Sequence, residues 1–257
     1  MITGLILFSV IVFVGIISYR RPRLEERVIR SIPLIDWMIG LILPMGGFLA
    51  LVLIVRNIVS RTAVEILDFD DFTLASFFIF FIMYTFVGIS IHFVAKVLSR
   101  YITPNRHARI YQINEIFHGK LSHYISFVSI LLAIFTLALW EINHPLLGTD
   151  QVSQAAGIMT IIFGSLLGYS SAKAIFYTSG WYGGYNKPLF FLVGVLLAVL
   201  VVFYRTFSLK LIFYPVNLFV VSMFVSFLAT FIFRQFLNFS RLRKKKRLQF
   251  LAKILSA

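Results

Sequence analysis

The fold class this sequence predicts is all-α: a polytopic membrane protein, a bundle of seven transmembrane helices with the N-terminus out and the C-terminus in. Three observations carry it. Of the 257 residues, 60% are hydrophobic and 13% charged, with a mean hydropathy of +0.92. A soluble domain is roughly 25% charged, so this chain has too little polar surface to coat a water-facing body. Uncharged runs of about 20 residues, the length a helix needs to cross ~30 Å of hydrocarbon, recur along it. The lysines and arginines then alternate from one connection to the next.

The runs lie at 1–19, 37–55, 72–95, 121–140, 151–172, 188–204 and 211–233. The first lacks a basic residue before its apolar stretch and a small-x-small cleavage site after it, so it reads as a retained anchor rather than a signal peptide. The second carries Pro44 and Gly46-Gly47, and a proline inside a helix frees a carbonyl and kinks it. Asp36, just before that helix, reads as an N-terminal acid favoured by the helix dipole. The sixth run is the shortest, at 17 residues. None shows the strict alternation of a β-barrel strand.

Counting Lys and Arg tests the topology. Alternate connections, at 20–30, 96–120 and 173–187 together with the tail from 234, carry 20 of the 24. The opposite side carries Arg56, Arg61, Arg205 and Lys210. By the positive-inside rule the rich side is cytoplasmic, and dropping the short sixth helix would move the basic tail across. The acids Glu65, Asp68, Asp70, Asp71, Glu141 and Asp150 fall outside. Integral, multi-pass residence in a cytoplasmic or equivalent energy-coupling membrane follows as an expectation.

Two domains are expected. Residues 1–233 form the transmembrane unit, whose cytoplasmic connection 96–120 carries a short surface helix running from Thr103-Pro104 and stopped by Gly119. Residues 234–257 form a basic amphipathic tail. In the tail Arg241, Arg243, Lys244, Lys245, Lys246 and Arg247 are expected to meet anionic lipid, with Leu248, Leu251, Ile254 and Leu255 at helical spacing beneath them. The tail starts at the bilayer, which gives lipid the advantage over nucleic acid as its partner.

Candidate chemistry gathers at the inner leaflet. Glu115 and His118 are three apart on one helix face, His123 follows at the membrane entry, and His92 sits near the end of the third run. Two cofactor arrangements suit these residue types: a haem between His92 and His123, or a metal ion on Glu115, His118 and His123. Solvated or packing roles compete with both. The absence of cysteine removes thiolate sites and cysteine nucleophiles, and the central third of each run carries no ionisable group, which disfavours coupled transport. Gly164 and Gly168, four apart, fit either a contact inside the bundle or self-association with a second copy.

The sequence therefore points to a membrane protein with little internal chemistry. A non-enzymatic subunit or scaffold of a larger membrane complex fits best, partnered with lipid and other membrane subunits. A metal- or haem-binding protein and a small channel or facilitator are the alternatives. The last run lacks the lysine that retinal proteins carry there, and it lacks histidines for a zinc hydrolase.

Overall fold

The structure, a computed structural model, describes residues 1–18, 22–29, 32–102, 108–147, 152–182 and 186–240. The ten α-helices in the described residues are α1 (Ile2–Ser18), α2 (Pro22–Glu26), α3 (Leu34–Trp37), α4 (Leu43–Val59), α5 (Asp71–Leu98), α6 (Arg109–Glu115), α7 (Ser122–Ile142), α8 (Gln154–Tyr182), α9 (Asn186–Thr206) and α10 (Pro215–Ser240). A small antiparallel hairpin, with Val28 opposite Pro33, precedes α3. The protein is an all-α, multi-pass integral membrane protein. Six of its helical stretches are long and apolar enough to cross a membrane, and Ile2–Ser18 is a shorter apolar helix of 17 residues.

Two crossings contain a wide π-helical turn, and both modify the sequence expectation. Met38–Ile42 joins α3 to α4, so one stretch runs Leu34–Val59. A proline ring clashes with the carbonyl four residues back, and for Pro44 that is Gly40. The widened turn immediately before Pro44 absorbs this conflict without ending the helix. The second wide turn, Ile116–Leu121, joins α6 to α7. Gly119, expected to stop a surface helix, lies buried inside this turn, and the helix continues from Arg109 to Ile142. Glycine weakens a helix but does not end one when the flanking residues keep helical φ and ψ, as Glu115 and Ser122 do. The expected start at Thr103-Pro104 lies outside the described residues.

Packing explains the glycines. A Cβ on Gly88 would meet the Ser126 backbone nitrogen at 2.8 Å and the Ser122 carbonyl at 2.9 Å, which sets the close approach of α5 to α7. Gly164 and Gly168 lie directly against the α10 backbone at Phe219 and Met223, and the Ser226 hydroxyl donates across the same seam to the Ser165 carbonyl at 2.7 Å. That glycine face is therefore covered by α10 of the same chain. Small residues let backbones meet where lipid supplies no hydrophobic drive.

Helix α7 is central, with Ala133, Ala138 and Ile142 fully buried, and Phe219, Phe224 and Phe227 of α10 fill the core beside it. Many large apolar side chains instead face outward, among them Phe77, Ile79, Phe80 and Met83 on α5 and Ile232, Phe233 and Phe236 on α10. An apolar exterior of that extent belongs against hydrocarbon.

Candidate functional site

The helices bring three of the sequence-predicted residues together. The rings of His92 and His118 lie 4.7 Å apart between centroids, and those of His92 and His123 also 4.7 Å, the latter edge to face. His92 comes from the last third of α5, His118 from the wide turn and His123 from the start of α7. The wide turn makes the meeting possible by exposing the His118 carbonyl. That oxygen accepts from Ser122 Oγ at 2.6 Å, His123 Nδ1 at 3.1 Å and His92 Nδ1 at 3.3 Å. His123 Nδ1 also faces the Gly119 carbonyl at 2.9 Å. A carbonyl only accepts, so both rings carry hydrogen on Nδ1 and the lone pair on Nε2.

This geometry bears on the cofactor expectations. The His92 and His123 rings touch edge to face, which leaves no gap between them for an iron and its macrocycle as they stand. Glu115 sits half-buried on α6. Among the described residues no group of three or more His, Cys, Asp or Glu side chains is placed to hold a metal ion, and Glu115, His118 and His123 are included in that statement.

Beside the histidines lies a cavity of about 360 Å³ between α1, α4, α5, α7 and α8, inside the ~300–1,000 Å³ range of small-molecule sites. Most of its wall is aliphatic or aromatic, with Phe8, Ile11, Leu51, Ile82, Phe86 and Ile130 as examples. Its polar members are His92, Ser122, His123, Ser126, Ser171, Lys173 and Thr85. Pro44 and Gly47 of α4 also line it, so the broken crossing helix leaves the hollow. A Cβ on Gly47 would find only Phe8 Cε2, at 4.0 Å. Lys173 lies over the Tyr169 ring at 5.7 Å, and no carboxylate pairs with it among the described residues.

The same end of the bundle holds a buried ion-pair cluster. Asp36, only 3% exposed, takes Lys96 Nζ at 2.6 Å and the Arg100 guanidinium. Both cations lie at the C-terminal end of α5, where the helix dipole also favours positive charge. Asp36 is thus more than a first-turn acid: it ties α3 to α5 beside the histidines.

Sequence reasoning missed a second polar cluster at the opposite end. Glu141, placed in an outer loop by its position after an apolar run, is fully buried. Its carboxylate accepts from Arg61 Nη1 at 3.0 Å, the Asn217 backbone at 2.8 Å and Asn217 Nδ2 at 3.2 Å. Arg61 also donates to the His144 carbonyl at 2.8 Å. Asp71 accepts from Trp140 Nε1 at 2.8 Å and lies 2.9 Å from His144 Nε2. Asn143 fixes the 64–69 loop by donating to the carbonyls of Leu67 and Phe69 and accepting from the Ile66 and Leu67 nitrogens. The Met1 amino group donates to Asn57 at 3.1 Å. The available signal was the run Glu141-Ile-Asn143-His144-Pro145, polar residues crowded at the end of an apolar stretch.

The tail residues Arg241, Arg243, Lys244, Lys245, Lys246 and Arg247 lie outside the described residues. Comparison with protein-family models, with curated proteins and with solved structures returns no match.

Proposed function

We propose that this is a non-enzymatic, ligand-binding subunit of a membrane assembly, holding an amphiphilic small molecule in the cavity between α1, α4, α5, α7 and α8. The cavity carries this reading: about 360 Å³ of largely apolar space between five helices, with its polar side chains supplied by three of them, α5, α7 and α8. A buried polar cluster holds each end of the bundle, Asp36 with Lys96 and Arg100 at one and Glu141 with Arg61 and Asn217 at the other.

The reading includes seven crossings, N-terminus out and C-terminus in. Helix α1 supports it by running antiparallel along α4, with Gly4 against Ile54 and Gly15 against Leu43. At ~1.5 Å per residue, 17 residues reach the short limit of a membrane-spanning helix. The 20-to-4 distribution of basic residues supplies the orientation. The basic tail then lies on anionic lipid, where a synthetic 234–257 peptide should bind acidic vesicles and release as salt rises.

The test uses Gly47→Leu, which fills the cavity from a position with open space above its Cβ. Protein purified gently from its own membranes should retain a co-purifying amphiphile, identified by extraction and mass spectrometry. The variant should lose it while keeping the same melting temperature. Equal retention by both proteins would refute the cavity as the binding site.

A further inference from the structure

Resting on the cavity reading above, we infer that the bound amphiphile is a phosphomonoester on a single apolar chain. The first argument is length. On α5 the lining runs from Ile82 to His92, and on α7 from Ser122 to Ile130, spans of about 15 and 12 Å at 1.5 Å per residue. That is about one leaflet of a ~30 Å hydrocarbon core. The cavity therefore takes an amphiphile from one leaflet.

The second argument is the position of polarity. His92, Ser122, His123, Ser126 and Lys173 belong to the end of the cavity where α5 finishes and α7 begins. The far end, at Phe8, Leu51, Ile82 and Ile130, is hydrocarbon. An occupant matching both has one polar head and one greasy tail.

The third argument selects the head. Lys173 is a cation within a crossing helix, and ionisable groups at such positions mark ligand sites. Among the described residues no Asp or Glu lines the cavity, so its charge complement is an anion supplied by the ligand. His92 adds a second requirement. Its Nδ1 hydrogen is committed to the His118 carbonyl, so Nε2 offers only a lone pair and seeks a donor. A carboxylate meets the lysine but has no hydrogen to give. An alcohol gives a hydrogen but no charge. A phosphomonoester monoanion supplies both a negative oxygen for Lys173 and a P–OH for His92.

Titration of full-length protein in neutral phosphatidylcholine nanodiscs tests this, with dodecyl phosphate, laurate and dodecanol as probes. Dodecyl phosphate should bind at least tenfold more tightly than either of the others. Lys173→Gln should remove at least tenfold of that affinity and leave dodecanol unchanged, while Lys173→Arg should keep most of it. His92→Phe should narrow the gap between dodecyl phosphate and laurate. Three probes of equal affinity, each lost in Gly47→Leu, would overturn the phosphate assignment and leave the cavity reading standing. Preference for laurate would replace phosphate by carboxylate. Binding of all three that Gly47→Leu does not touch would overturn both readings.

Discussion

His92 and His123 share one acceptor: each turns Nδ1 to the carbonyl oxygen of His118, at 3.3 and 3.1 Å. With the Ser122 hydroxyl at 2.6 Å, three donors address one oxygen that has two lone pairs. The donors are therefore redundant, and the energetics of the trio follow from that. Losing one donor leaves the buried oxygen satisfied, whereas losing two exposes part of its desolvation penalty, about 1–3 kcal/mol for an unmet buried group.

The histidines should accordingly show positive coupling. His92→Phe and His123→Phe singly should each cost less than about 1 kcal/mol, and the double variant should exceed their sum by about 0.5 kcal/mol or more. SDS-driven unfolding of the purified protein in mixed micelles measures all three. Strict additivity would mean that the two rings do not depend on the same carbonyl.

The α8–α10 seam makes a sharper contrast. A methyl on Gly168 would overlap the Met223 carbonyl, a backbone atom that cannot swing aside, whereas nothing lies within 4 Å of a Cβ on Gly194. Gly168→Ala should destabilise by about 1–3 kcal/mol, the usual cost of overpacking. Gly194→Ala should be neutral or gain up to about 1 kcal/mol from helix propensity. Equal effects at the two positions would show that α8 and α10 do not meet at Gly168.

Asp70 gives a pH dependence with a defined sign. Its side chain caps α5 by accepting from the Thr73 backbone at 2.7 Å, and the Thr73 hydroxyl, followed by that backbone N–H, holds the carboxyl below its ordinary value. A depressed carboxylate stabilises the fold above its unfolded pKa, near 3.9. That contribution is lost as pH falls through the native value. Asp70→Asn, still a competent cap, should flatten this part of the acid profile without loss at pH 7. An unchanged profile would place the dependence on another carboxyl.

The crossing segments were legible in the sequence because lipid imposes one rule on every residue within it: a long uncharged run must satisfy its own backbone. The approach of His92, His118 and His123 was partly legible, since His92 and His123 fall at matching depths of antiparallel neighbours. The wide turn that exposes the shared carbonyl was not, because a π turn leaves no periodicity of its own in six residues. Glu141 shows the opposite limit. A carboxylate after an apolar run reads as the first wet residue, and only the partners Arg61, 80 positions away, and Asn217, 76 away, keep it in the dry interior. The cavity was equally hidden, for an empty volume is a property of five helices together. Its nearest trace was Pro44 with Gly46-Gly47, which the sequence marked as a break without showing what the break opens.

A reporter ahead of Met1 separates the seven-crossing reading, which puts it outside, from a six-crossing one in which Ile2–Ser18 does not cross, which puts it inside. A fusion after position 148 should report the outer side and one after position 257 the inner side, following the 20-to-4 distribution of basic residues. Deleting α1 by starting at Pro22 should leave both reporters in place, because the basic residues that orient the later helices remain. The reporter ahead of Met1 reading on the same side as the one after position 257 would overturn the odd number of crossings.

The Arg61–Glu141 pair should be asymmetric when broken. Glu141 is wholly buried, while the Arg61 side chain keeps 11% of its surface accessible. Removing one partner of a buried pair costs about 3–5 kcal/mol because the other charge is left uncompensated. Arg61→Gln leaves a carboxylate with only the Asn217 donors in a dry site, and the stranded charge has no path to water. Glu141→Gln leaves a long guanidinium that still donates to the His144 carbonyl and can swing its head outward. Arg61→Gln should therefore be the more damaging of the two by at least about 1 kcal/mol. The double variant, with two neutral amides able to hydrogen-bond each other, should recover much of what Arg61→Gln alone loses. Asn217→Leu should aggravate Arg61→Gln but add little to Glu141→Gln, since the Asn217 amide then loses a neutral acceptor rather than a charged one. Unfolding of these six variants, three single and three double, in mixed micelles decides it: equal losses for Arg61→Gln and Glu141→Gln, with no recovery when the two are combined, would show that burial of Glu141 does not depend on Arg61.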